Sequence, residues 1–259
     1  MATSIDPRSV VSPKARLGEN VTVGPFAVIE DDVEIGDGTK IHSSAFIGNG
    51  ARIGRNCTIH HGAVVSNVPQ DLKFGNEPTT LEIGENTVVR EFATLHRGTA
   101  ETGKTVIGSD CLLMANVHIA HDCRVGNHCI FANVVALAGH VTVEDWVTIG
   151  GLSAVHQFTT IGAHTMIGGG FRVTKDVPPY VLAGREPLRY EGVNVIGLRR
   201  RGFSREQIES IENAYRTLYS SGLMYGEATR KIESDFPRTT EISAIITFLK
   251  NSSRGIIRI

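Results

Sequence analysis

Apolar residues recur along most of this chain at every sixth position, a spacing that belongs to neither an ordinary helix nor an ordinary strand. In the run ARLGEN VTVGPF AVIEDD VEIGDG TKIHSS AFIGNG ARIGRN, each unit opens on a small or β-branched residue, carries an aliphatic residue third and often a glycine fourth. The third positions read Ile5, Val11, Leu17 and onward to Val65, resume at Ile83, Val89 and Leu95, and continue from Ile107 to Val173, apolar at every step. A helix repeats its apolar face about every 3.6 residues and a half-buried strand every two, so a period of six fits a short strand followed by a corner. Glycine, asparagine and aspartate crowd the second half of each unit and tolerate the backbone angles of a corner. Three units close a triangular coil of 18 residues. Stacked coils pair their strands in parallel about 4.8 Å apart and bury the aliphatic positions in one column.

Two stretches break the repeat, VPQDLKFGNEPT at 68–79 and TAETGK at 99–104, and both read as loops. The pattern stops at DVPPYV, where two prolines cannot continue a ladder. Helices are expected beyond it. Ser204 with Gln207 makes a capping box, and Ile208, Ile211, Tyr215 and Leu218 form an apolar stripe ending near Gly222. Further helices are expected over about 226–235 and 240–250, with Pro237 between them. The expected fold is mainly β: a parallel β-helix of hexapeptide repeats over 1–182, then a small C-terminal α-helical domain over 183–259.

Charge narrows the function classes. Lys and Arg number 26 against 27 Asp and Glu, which argues against a general affinity for nucleic acid or anionic membrane. No run approaches the roughly 18 apolar residues of a transmembrane helix, and MATSIDPRSVV lacks the apolar stretch of a secretory peptide. A soluble, cytoplasmic protein is expected. Cys57, Cys111, Cys123 and Cys129 all fall at the small first position of a unit, with Cys111 and Cys129 one rung apart, and read as buried thiols.

The segment ANVHIAHDCRVGNH, at 115–128, is too polar for structural filler. Residues 18 apart lie one above the other, so His121 has Gly139 above it and Gln157 above that, while Asp122 has His140 above it. His118 lies one strand step away. An imidazole is the natural general base near neutral pH, a neighbouring carboxylate fixes its tautomer, and a glycine N–H one rung away suits a developing oxyanion. Base, orienter and oxyanion donor together make an acyl-transfer site. A lone outward histidine on such a coil is more often solvated surface, and His42 and His60, also 18 apart but without such company, are read that way.

QDLK, LHRGT, HIAHDC, LAGHV, GGLSAVHQF, DVPPYV and RRRGFSRE, in this order, resemble the acyl-carrier-protein:UDP-N-acetylglucosamine O-acyltransferases that begin lipid A synthesis, members of the hexapeptide-repeat acyltransferases. The resemblance covers essentially the whole chain. It implies a left-handed parallel β-helix, a homotrimer with active sites in clefts between subunits, and two substrates, UDP-N-acetylglucosamine and a 3-hydroxyacyl group carried on acyl carrier protein. By motif position, His121 removes the proton of the sugar's 3-hydroxyl, Asp122 holds and polarises it, and the Gly139 N–H steadies the oxyanion, with no metal and no cofactor. Asp71, Lys73, His96, His118, His140 and Gln157 are expected to contact the sugar nucleotide, with His156 as support. Arg200 and Arg201, with Asn194 nearby, are expected at the UDP phosphates, where planar guanidinium groups suit phosphate oxygens. Ile196 departs from the family pattern, which carries an acid there. Gly169 falls at the acyl-chain ruler and leaves room for a long chain, while Pro187 departs from the family at another ruler position. Three rival readings remain at this level: a zinc-dependent carbonic anhydrase on the same coil, a non-catalytic scaffold, and the sister enzyme that N-acylates the next intermediate. The last fits poorly, because hexads begin by residue 3 and leave no room for its N-terminal domain.

Overall fold

Each hexad contributes one strand, of two residues in most rungs, and one corner, and three corners return the chain to the strand it left. The computed structural model describes residues 2–259 and shows three sheets of 11, 9 and 8 strands, parallel except for the last strand of the largest, wrapped into a prism. We name its faces by their first strands: Ser4–Ile5 starts the first, Val10–Val11 the second and Arg16–Leu17 the third. Register follows the 18-residue rule, as in His118↔Ala136, and lengthens to 24 residues at Thr94↔His118, where an insertion has been bypassed.

The repeat explains the core. Ile29, Ile47, Ile59, Leu95, Ile119 and Leu137 are fully enclosed, each contributing about 1.5–3 kcal/mol of hydrophobic stabilisation relative to exposure. At most corners the sixth residue of the unit takes a positive φ, even where it is Val134 (φ 65°) or Phe158 (φ 61°). The strain persists because that residue's N–H is anchored to the carbonyl one rung below, as Val134 N–H is to Ala115 at 3.0 Å.

The prolines of DVPPYV do not end the coil, contrary to the expectation from their missing donors. They occupy a corner, and the chain completes another strand, Val181–Gly184, parallel to Met166–Ile167. That strand runs across the expected domain boundary at 182/183 and turns back antiparallel as Arg189–Val193. Four helices follow: α1 (Val195–Arg200), α2 (Arg205–Ser220), α3 (Tyr225–Asp235) and α4 (Thr240–Asn251). Helix α1 was not foreseen; at six residues it is too short to show an apolar period. Ser204 and Gln207 make the expected capping box, and Ile208, Ile211, Tyr215 and Leu218 are buried. Tyr215 is enclosed and its hydroxyl donates to the Pro179 carbonyl at 2.6 Å, tying the helices to the last corner. No helix among the described residues is long and apolar enough to cross a membrane. All four cysteines are buried and free.

Candidate active site

One prism edge collects the polar chemistry. His121 and Asp122, Gly139 and His140, and Gln157 and Phe158 occupy successive corners between the second and third faces. Both insertions, 68–79 and 99–104, emerge at this same corner lower down the stack, since each leaves a second-face strand and re-enters a third-face one. The neighbouring margin of the second face carries His96 and His118 on adjacent strands.

The imidazole of His121 lies 2.7 Å through Nδ1 from Asp122 Oδ2. A carboxylate accepts only, so Nδ1 carries the proton and Nε2 presents a lone pair, the state a general base requires. Asp122 has a fully buried side chain. Its oxygens accept from the Thr99 N–H at 3.0 Å, the Thr99 hydroxyl at 2.8 Å and the Thr102 hydroxyl as well as from His121. Burial alone would raise this carboxyl, but hydrogen bonds from Thr102, His121 and Thr99 outweigh it and hold the acid at about 2. Asp122 therefore stays ionised and fixed throughout the working pH range. Thr99 and Thr102 escaped sequence reading; the available signal was an insertion placed immediately before the HIAHD rung.

Gly139 is required by the ring below it. A Cβ there would meet His121 Cε1 at 2.7 Å and Nε2 at 2.9 Å, so the imidazole rests against the glycine backbone. The Gly139 N–H is also free. In the regular corners the fourth residue donates to the rung above and the sixth to the rung below, as Ala138 does to Val155 (3.0 Å) and His140 to His121 (3.1 Å). The fifth residue's donor is left over. Side chains take it elsewhere, Asp145 from Asn127 and Glu144 from Ala163, but among the described residues nothing accepts from Gly139.

His140 stands edge-on to His121, with ring centres 5.2 Å apart, and stacks on Phe158 at 4.5 Å. His118 accepts or donates at Nδ1 with the Thr94 hydroxyl (2.7 Å) and meets His96 edge-to-face at 4.9 Å. His96 is buried with Nδ1 unpartnered, and burial, together with His118 and His121, pushes it down to about 4. It is neutral. Gln157 is exposed, and His156 turns back onto the Gln157 carbonyl at 3.0 Å. Asp71 and Lys73 sit in the 68–79 loop, where the Lys73 N–H donates to Asp71 Oδ1 at 3.0 Å and Leu72 at the tip is fully exposed.

The remaining expected site residues lie elsewhere on this chain. Asn194 caps α1, accepting from the Gly197 N–H and donating to the His164 carbonyl at 2.9 Å, so its amide has a structural duty. Arg200 and Arg201 border a cavity of about 900 Å³ on the first face, with Trp146, Met166, Asn194 and Ile196. Arg201 lies over the Trp146 ring at 5.3 Å. Gly169 belongs to the corner between the first and second faces, against the Gly151 carbonyl. His128, the third histidine of the 115–128 segment, stacks on Trp146 at 4.0 Å and takes no part in the His121 cluster. His42 and His60 stack on each other at 4.8 Å, away from it. In a triangular prism the edge bearing His121 is opposite the first face, and the apolar core stands between them.

Ring nitrogens of His121 and His140 and an oxygen of Asp122 lie within 4.8 Å of one another, a spacing a metal would accept. The Asp122 oxygens, however, are saturated by the Thr99, Thr102 and His121 donors, which fits a hydrogen-bonded dyad rather than a ligand set. A second such group, His60, His61 and Glu91, lies on another corner, where Arg90 already pairs with Glu91.

Comparisons with known proteins find relatives along nearly the whole chain. The model of UDP-N-acetylglucosamine O-acyltransferase domain 2 matches residues 176–257, and that of bacterial transferase hexapeptide repeats matches 32–67 and 104–137. An acyl-[acyl-carrier-protein]–UDP-N-acetylglucosamine O-acyltransferase of Burkholderia mallei is 44% identical over 201 residues, 76% of this chain and 77% of its own. A UDP-N-acetylglucosamine acyltransferase structure from Bacteroides fragilis superposes with a TM-score of 0.95 at 48% identity, covering 98% of this chain and 99% of the other. One from Arabidopsis gives 0.88 at 37%, covering 98% and 100%.

Proposed function

This chain belongs to the acyl-[acyl-carrier-protein]–UDP-N-acetylglucosamine O-acyltransferase family, the enzymes of the first step of lipid A synthesis, and we propose that His121 is the base that drives the transfer. His121 Nε2 takes the proton of the 3-hydroxyl of UDP-N-acetylglucosamine as that oxygen attacks the thioester carbonyl of a 3-hydroxyacyl group on acyl carrier protein. The carbonyl oxygen becomes an oxyanion, which the Gly139 N–H receives. Collapse expels the carrier's thiolate, which regains the proton from His121, now the general acid. Asp122 holds the imidazole and stabilises its charged form in between. The observation that carries this reading is the pairing of a committed Nδ1 with an unpartnered Gly139 donor on adjacent rungs.

Asp71, Lys73, His96, His118, His140 and Gln157 line or flank the same edge and are the proposed contacts to the sugar nucleotide. Arg200 and Arg201, with Asn194, serve the UDP phosphates of a site belonging to a neighbouring copy. Their place on the opposite side of the prism supports that division, since one nucleotide cannot reach both sides of a single chain. Repeating the contact of one chain's edge with the next chain's first face gives a head-to-tail ring, and a ring of three is the homotrimer that the family resemblance implies. Gly169, at the far margin of the second face, leaves room for a long 3-hydroxyacyl chain. The acyl carrier protein substrate supports a cytoplasmic location.

Incubation with UDP-N-acetylglucosamine and a panel of 3-hydroxyacyl carrier proteins, followed by mass analysis of the sugar product, tests activity, acceptor and chain length together. A mono-O-acylated sugar nucleotide is expected. Unchanged substrate with every donor would overturn the reading.

A further inference from the structure

The two insertions at the active edge are not independent loops. Glu77, near the end of the first, accepts the Ala100 N–H of the second at 3.0 Å through one oxygen and the Gly75 N–H of its own loop at 2.7 Å through the other. Thr79 donates its buried hydroxyl to the Gly98 carbonyl at 2.6 Å. Arg97 lays its guanidinium over the Phe74 ring at 5.4 Å. These three tethers fix residues 74–79 against 97–100, and the tethered segment leads directly into the Thr99 and Thr102 donors on Asp122. Upstream, the exposed stretch around Leu72 carries Asp71 and Lys73, which the tethers do not reach.

We propose that residues 68–79 and 97–104 act as one positioning unit, with Glu77 as the residue that couples docking of the sugar nucleotide on the first loop to the grip of Thr99 and Thr102 on Asp122. The inference rests on the acyl-transfer reading above and goes beyond it by assigning three positioning residues that touch neither substrate. The physical logic is restriction. A 12-residue loop without regular structure samples many conformers, and a ligand that orders Asp71 and Lys73 narrows them. Because Glu77 links that loop to the Ala100 backbone, the ordering is passed to the adjacent Thr99 N–H, and thence to the plane of the Asp122 carboxylate and the direction in which His121 points.

Steady-state kinetics of the full chain with UDP-N-acetylglucosamine and a 3-hydroxyacyl carrier protein test this in a double-mutant cycle. Thr102→Val is expected to lower kcat about tenfold with KM for the sugar nucleotide nearly native, and Thr102→Ser to restore it. Glu77→Ala is expected to lower kcat and raise that KM, each several-fold, and the double variant to lose less kcat than the product of the single losses. Glu77→Gln, which keeps one accepting oxygen, is expected between Ala and native, and it replaces Ala if the latter does not fold. Losses that multiply, or a Glu77 effect on KM alone, would overturn the coupling. His121→Ala run alongside separates the two failures: native turnover there removes His121 as the base on which the reading rests, whereas a dead His121→Ala with multiplying losses removes only the coupling.

Discussion

Gly139→Ala is the sharpest perturbation of the site, because it adds one methyl and deletes nothing. The new carbon would stand 2.7 Å from His121 Cε1 and 2.9 Å from Nε2, whereas carbon atoms rest about 3.5–4.0 Å apart. The ring must therefore retreat by about 1 Å. It cannot retreat freely, since Nδ1 is held 2.7 Å from a carboxylate that three threonine-borne donors fix in place. A displacement of about 1 Å at a reacting group costs on the order of 100-fold in rate, or about 2.7 kcal/mol of activation free energy. Global stability should fall by only about 1 kcal/mol, the low end of overpacking, because the displaced atoms belong to a partly exposed side chain and not to the backbone. Initial rates over a range of sugar nucleotide concentrations, with thermal unfolding in parallel, check both numbers. A kcat about 100-fold down with a near-native melting curve is expected. Native kcat would show that the imidazole does not need its present position, and the geometric argument would fall.

The other predictions concern pH and chain length. His96 titrates near 4 in the fold against about 6.5 in the unfolded chain, so its stabilising contribution is complete above about pH 6.5 and is lost as pH falls towards 4. Between pH 7 and 5 that loss is about 2 kcal/mol, and urea titrations should show His96→Phe losing that much less stability than native over the interval; equal losses would mean His96 is not held neutral by the fold. Gly169→Met places a long side chain beside the Gly151 carbonyl at the far margin of the second face and should shift the preferred donor to shorter acyl chains in a carrier-protein panel, with an unchanged preference counting against Gly169 as the ruler.

The coil was legible in the sequence because every rung obeys the same constraint: an enclosed aliphatic such as Ile119 or Leu137 cannot be replaced by a polar residue without burying it. The same arithmetic placed His121 beneath Gly139 and Asp122 beneath His140. What escaped was non-periodic. The strand Val181–Gly184 follows two prolines that look like a stop but occupy a corner, where no ladder donor is needed. Thr99, Thr102 and Glu77 reach Asp122 or its neighbours from insertions whose conformation no repeat dictates. The cap that Asn194 makes also escaped, because helix α1 is too short to announce itself. The separation of Arg200 and Arg201 from His121 was likewise invisible, because motif order along a chain carries no record of which prism edge each motif faces.

Single-turnover acyl transfer by His121→Ala, compared with the native chain at saturating UDP-N-acetylglucosamine and 3-hydroxyacyl carrier protein, tests the central claim most directly. Removal of a positioned general base should slow the chemical step by roughly 100- to 10,000-fold while the variant keeps its fold and its affinity for the nucleotide. A His121→Ala protein that transfers the acyl group at the native rate would contradict the account.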